Sequence, residues 1–109
     1  MAKIADKWCE TTMRYYLIVD ASLNGTGIRD QYNGGYVDPE ELPLSATTKE
    51  RLKEWVSSYA QQQYHGFTDD KITTKLDSEG KQIALTIKKE ILDIKIEYFS
   101  NARLSSEFI

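Results

Sequence analysis

The spacing of apolar residues changes period along this chain, and that limits its architecture more than any single motif. Over residues 46–63, Leu52, Trp55, Val56, Tyr59 and Ala60 recur at the i, i+3, i+4, i+7 positions of one helical stripe, with Lys49, Glu50, Lys53, Glu54 and Ser57 on the opposite face. A second stripe, Gly80, Ile83, Ala84, Ile87 and Ile91, predicts a helix that begins near Asp77 or Ser78. Glycine inside a helix costs about 1 kcal/mol against alanine. Gly80 on the inner face therefore reads as a point where another backbone comes close. The period then falls to two. In "ILDIKIEYF", Ile94, Ile96 and Tyr98 alternate with Lys95, Glu97 and Phe99, as in a strand with one buried face. An earlier run, Arg14 to Val19, is aromatic, β-branched and aliphatic. It predicts a strand with Tyr15, Leu17 and Val19 on one face and Tyr16, Ile18 and Asp20 on the other. Both faces are fairly apolar, which places this strand inside a sheet rather than at its edge.

Glycine and proline punctuate these runs. "NGTG", residues 24–27, predicts a turn, with a short strand over residues 28–32 returning as a hairpin. "NGG" at 33–35 is a second break, and Pro39 and Pro43 exclude a regular helix between them. Ser45 or Thr47 can cap the first helix, Thr47 with Glu50 at capping-box spacing. Gly66 stops that helix. Residues 67–76 carry no clear period. The tail, "SNARLSSEFI", has no strong pattern, and Leu104 and Phe108 are expected to dock on the core. The order strand, hairpin, helix, helix, strand predicts an α+β fold: a single small domain, two helices packed on one face of a mostly antiparallel sheet of three to four strands, with the strand order open. A chain of 109 residues supports one modest core and no large enclosed cofactor cavity. Met13 stands directly before the first patterned run. Residues 1–12 thus read as a loose N-terminal extension and 13–109 as the domain, with Met1 and Met13 both open as the native start.

Reactive side chains are few. Cys9 is the single cysteine, so no internal disulfide forms, which suits a reducing cytoplasm. No stretch has the roughly 20 apolar residues of a membrane span, and the first twelve residues lack a signal-peptide core. His65, the single histidine, falls at a helix end, where it reads as a cap that favours the helix dipole. As a catalytic base it would need a nucleophile and an orienting carboxylate. One His and one Cys match no zinc spacing. "NGTGIRD" lacks the GK[ST] ending of a phosphate loop, and neither "TDDK" nor "DSEG" continues as a calcium loop. Asp69 and Asp70 read as a turn or cap. The expectation is a protein without catalytic residues, cofactor or metal. A net charge of −3 argues against a nucleic-acid binder, which neutralises phosphates with clustered Lys and Arg.

What remains is the acidic segment inside "YNGGYVDPEELPLS". Residues 30–41 hold four carboxylates, Asp30, Asp38, Glu40 and Glu41, and no Lys or Arg, with Tyr32 and Tyr36 among them. A solvated loop explains this, because loops are polar. A docking surface explains it equally well: carboxylates steer a basic partner, and tyrosines supply rigid contact area. On the second reading Asp30, Tyr32, Tyr36, Asp38, Glu40 and Glu41 are the partner contacts.

"GGYVDPEELPLS", "RLKEWVSSY", "DSEGKQIALTIKKEI" and "IKIEYFSNAR" together resemble bacterial immunity proteins of polymorphic-toxin systems, of which contact-dependent growth inhibition is the best known. The likeness spans residues 13–103 and rests on Leu42–Ser45, Leu52, Trp55, Gly80 and Tyr98. It implies an antitoxin that meets a cognate C-terminal toxin domain in the cytoplasm as a monomer in a 1:1 complex. Toxins of this kind are often nucleases with basic clefts, which an acidic inhibitor can cover. The rival readings are an adaptor or homodimeric structural protein of the same fold, and a small hydrolase built on His65.

Overall fold

The computed structural model describes residues 15–22, 25–91 and 94–109. The proposed extension over 1–12, with Cys9, and the choice between Met1 and Met13 lie outside the described residues. The elements are β1 (Tyr15–Asp20), β2 (Ile28–Asp30), a 3-10 turn (Pro39–Glu41), α1 (Ala46–Tyr64), α2 (Asp70–Glu90), β3 (Ile94–Ser100) and β4 (Ser105–Phe108). They form one small α+β domain with two helices packed on a four-stranded sheet of order β2-β1-β3-β4. β1 lies inside the sheet, as its two apolar faces predict. The hairpin pair β1–β2 and the pair β3–β4 are antiparallel. The central pair β1–β3 is parallel, with Leu17 opposite Ile96 and Val19 opposite Tyr98. Parallel neighbours need a long crossover. Here the crossover is the whole helical pair.

One sheet face meets the helices. Leu17, Val19, Ile28, Ile96 and Tyr98 pack against Leu52, Trp55 and Tyr59 of α1 and Ile83, Ala84 and Ile87 of α2. The strict alternation of burial along β3 matches its sequence period. On the opposite face the Tyr16 hydroxyl donates to Glu97. That hydrogen bond first, and then burial, push the phenol up to about 12. The Lys95 ammonium lies 4.7 Å from the Tyr16 ring centre and 4.9 Å from that of Phe108. Asp20, at the end of β1, ties three segments together, accepting from Arg29 Nε at 2.8 Å, Ser22 Oγ at 2.7 Å and Asn101 Nδ2 at 2.7 Å.

Gly80 departs from its predicted role. A Cβ there would run into the Tyr98 ring and come within 2.6 Å of Trp55 Cζ2. The glycine makes room for two aromatic rings, not for a backbone. α2 also begins earlier than its apolar stripe predicts. Asp69 caps it, accepting from the N–H groups of Lys71 and Ile72 at 3.0 and 3.2 Å, so the helix starts at Asp70 rather than near Asp77. The β-branched threonines of "KITTK" hide that first turn, although buried Thr73 returns its hydroxyl to the Asp69 carbonyl at 3.0 Å. The tail corrects a second expectation. Leu104 and Phe108 stay 77% and 63% exposed, and residues 105–108 pair with β3 as an edge strand. Ala102 and Ile109 are the tail residues that pack against the core.

α1 is capped by Ser45, whose Oγ accepts from the Thr48 N–H at 3.2 Å. The end of α2 supplies a second cap. Glu90 accepts from the Ser45 N–H at 2.8 Å and from the Thr48 hydroxyl at 2.6 Å. The Thr48 bond first, then the Ser45 N–H, hold the Glu90 carboxyl below its ordinary 4.5. Its ionised form is the stabilising one, so the contribution is present above pH 4.5 and fades as pH falls through the lowered folded value. Glu90→Gln should destabilise by about 1 kcal/mol at pH 7, a modest figure because solvent screens the carboxylate. Urea melts at pH 7 and pH 3.5 check this: the gap between the two proteins should narrow at the lower pH, and a constant gap would contradict the charged-cap account.

Candidate functional site

The acidic segment is built from its glycines outward. β2 ends at Asp30, whose carboxylate accepts from the Tyr32 N–H at 2.9 Å, the Asn33 N–H at 3.2 Å and the Asn33 side-chain amide at 2.9 Å. The Asn33 side-chain bond is the main cause that keeps this carboxyl below its usual value. Gly34 and Gly35, at φ of +74° and +75°, reverse the chain in a conformation that side chains resist. The returning strand-like stretch pairs with β2: Asp30 donates to the Gly35 carbonyl at 3.0 Å and Val37 to the Ile28 carbonyl at 2.9 Å. Asp38 then caps the 3-10 turn, accepting from the Glu40 N–H at 3.0 Å. Leu42 and Leu44, buried on either side of Pro43, anchor the segment to the core before α1 begins.

All six predicted contact residues thus sit on one ordered projection. Tyr32 is 57% exposed and meets Tyr16 edge-to-face at 5.7 Å. Tyr36 is 42% exposed, and its ring covers Gly25, where a Cβ would come within 2.5 Å of it. Asp30 is half-buried, and Asp38, Glu40 and Glu41 are exposed. The carboxylates are not equivalent, however. Those of Asp30 and Asp38 hold the turn together. Glu40 pairs with Lys49 of α1 at 3.0 Å. Glu41 has no ion pair among the described residues. A groove of about 240 Å³ runs beside the segment, with Leu52 and Val56 at its base and Asp38, Glu40, Lys49 and Lys53 around it. The surface is therefore acidic on the loop side and basic on the helix side. A local reading missed this, because the lysines reach the loop from the next element.

Elsewhere His65 closes α1. Its N–H bonds the Gln61 and Gln62 carbonyls at 3.2 Å, and Gly66 follows at φ +71°. Its ring is exposed. The dipeptide after it completes the helix stop: Gly66 donates to Gln63 at 3.0 Å and Phe67 to Gln62 at 2.9 Å. Asp69 and Asp70 serve as the α2 cap and as a partner of Arg103 at 2.9 Å. Among the described residues no three His, Cys, Asp or Glu side chains gather as a metal site, and no helix is long and apolar enough to cross a membrane.

A buried polar cluster was not foreseen. Asp77 Oδ1 accepts from the Tyr98 hydroxyl at 2.5 Å and the Tyr59 hydroxyl at 2.9 Å, and Oδ2 accepts from Ser100 Oγ at 2.9 Å. The Tyr59 oxygen accepts the Ala102 N–H at 3.1 Å, and Ser100 Oγ accepts the Arg103 N–H at 3.1 Å. Burial first, and then Asp77, raise the Tyr98 hydroxyl far above its usual range. Burial also raises Tyr59. Both phenols therefore stay protonated and donate. Each member has a partner within the fold, and the cluster joins α1, α2 and β3. Its signal was present in the sequence: Asp77 falls on the stripe of Gly80, Ala84, Ile87 and Ile91, and Ser100 continues the inward alternation of β3.

The match that decides the family covers residues 16–101, from β1 through α1 and α2 to the turn after β3, and its model describes Serratia CdiI immunity protein-like chains. The chain belongs to this family. No curated protein matches the chain. The CdiI-like region contains the acidic segment, the groove beside it and the Asp77 cluster, and it leaves β4 outside. Membership makes this an immunity protein of a contact-dependent growth inhibition system. Its family implies a cognate toxin as partner.

Proposed function

We propose that this CdiI-like chain, with residues 13–109 as its working domain, binds and neutralises a cognate toxin domain in the cytoplasm, as a monomer in a tight 1:1 complex. It acts by occupancy rather than chemistry. The family match carries this reading, and the acidic projection supports it. A contact surface gains affinity when its anchors are held before the partner arrives. Tyr32 and Tyr36 are held in this way, one against Tyr16 and the other over Gly25. Asp30, Asp38, Glu40 and Glu41 set a negative potential around them, which suits a basic toxin such as a nuclease and would keep nucleic acid from its cleft.

Charge reversal tests the surface. Glu40→Lys combined with Glu41→Lys should slow association with the toxin domain about tenfold at low salt, with the difference shrinking as ionic strength rises. Both side chains are exposed and the Glu40–Lys49 pair is a surface one, so stability should fall by no more than about 1 kcal/mol. Stopped-flow or surface-based kinetics at 20 and 300 mM salt would measure it. Equal rates for both proteins would remove residues 30–41 from the interface.

A further inference from the structure

The two edges of the sheet are treated differently. On the β2 side the fold closes its own edge: the outward carbonyls of Ile28 and Asp30 accept from Val37 at 2.9 Å and Gly34 at 2.8 Å, and the Asp30 N–H donates to Gly35 at 3.0 Å. On the β4 side no described residue does the same. Ile109 donates to the Ile96 carbonyl at 3.0 Å, which makes these two a hydrogen-bonded pair. By the alternation of an antiparallel ladder, Tyr98–Glu107 and Ser100–Ser105 are bonded pairs too. Ser106 and Phe108 therefore turn their N–H and C=O groups outward. No described residue takes up these four groups, because β4 is the last strand of the sheet. β4 also lacks proline and lysine, two usual guards against strand addition.

We infer that the β4 edge is a second docking element, on which an extended segment of the toxin adds to the sheet as a further strand. This rests on the toxin-binding reading above. The ground on either side of the edge defines the segment's chemistry. Ser105 and Glu107 share the helix-side face with Ser100 and Tyr98, over a cleft of about 280 Å³ lined by Thr74, Ser78, Lys81 and Arg103. Hydroxyls and charges of both signs, with Lys81 and Glu107 paired at 3.4 Å, suit polar side chains there. Phe108 lies on the other face, 63% exposed, and suits an apolar neighbour. The fitting segment alternates polar and apolar residues. A second copy of this chain fits poorly. The antiparallel register that uses all four outward groups sets Glu107 against Glu107, and like charges directly opposite are destabilising.

Ser106→Pro tests the edge, since it removes an outward N–H and leaves the β3 ladder intact. The probe is the purified C-terminal toxin domain of the cognate effector. Wild-type protein should bind it, and the variant should bind at least about tenfold more weakly. In wild-type complex, the Ser106 and Phe108 amides should exchange with deuterium more slowly than in the free protein, a measurement that needs no variant to fold. Equal affinity with unchanged exchange would overturn the β4 inference and leave the toxin-binding reading standing. No binding by wild type would overturn both. Protection of the two amides in free protein that grows with its concentration would assign the edge to self-association instead.

Discussion

Asp77→Ala should lower stability by about 3–4 kcal/mol, because it strips the shared acceptor from three buried hydroxyls at once. Tyr59 and Tyr98 are 0% and 1% exposed and Ser100 is 4% exposed, so all three hydroxyls lose a buried acceptor. For a domain of this size that is a large part of a typical total of about 5–15 kcal/mol, and Tm should fall by roughly 15 °C. The penalty belongs to the orphaned donors rather than to the lost carboxylate. Combining Asp77→Leu with Tyr59→Phe and Tyr98→Phe should therefore give a more stable protein than Asp77→Leu alone. Guanidinium melts of the three proteins separate these accounts, and an Asp77→Ala variant within 1 kcal/mol of wild type would refute the shared-acceptor view. The pH dependence has a definite sign. Tyr98 and Tyr59 are held protonated in the native state above their ordinary 10.0, so their contribution is intact below pH 10 and declines as unfolded-chain phenols ionise above it.

Gly80→Ala should also destabilise, by about 2–3 kcal/mol, although alanine is the better helix former by about 1 kcal/mol. The added methyl falls on the Tyr98 ring and within 2.6 Å of Trp55 Cζ2. Neither ring can step aside cheaply. Tyr98 is held by its hydroxyl on Asp77 at 2.5 Å, and the Trp55 indole donates to the Leu76 carbonyl at 2.8 Å. Relief at one ring breaks a buried hydrogen bond, and overpacking is left as strain. Denaturant midpoints decide this. A raised midpoint, as for an exposed helical glycine, would show that the rings have room to move.

These two residues also show what a linear reading can reach. Gly80 stood out because it interrupted an apolar stripe, yet its neighbours come from α1 and β3, beyond the reach of local spacing. Leu52, Trp55 and Tyr59, like Ile94, Ile96 and Tyr98, were legible because a single helix or strand fixes which side chains share a face. The parallel β1–β3 pair was not, since nothing within either run sets the direction of its neighbour. "SSEF" has no apolar alternation, so β4 exists by backbone pairing with β3 rather than by pattern. At the candidate surface, glycine and proline announced an exposed projection around Tyr32 and Tyr36. They could not show that Asp30 and Asp38 spend their oxygens on its own turns, or that Lys49 answers Glu40.

The parallel pairing of β1 with β3 has a consequence for how the molecule comes into being. Tyr15 finds its neighbour in Ile94, and Asp20 in Phe99. While the ribosome is still making the helical pair, the three-residue β2 is the one described strand that β1 can pair with. Contacts this distant in sequence are slow to form, since the intervening chain must be closed into a loop before any of them is rewarded. Protection against a toxin would then lag synthesis by the time this sheet takes to zip, and a nascent chain halted before residue 94 would offer its bearer none.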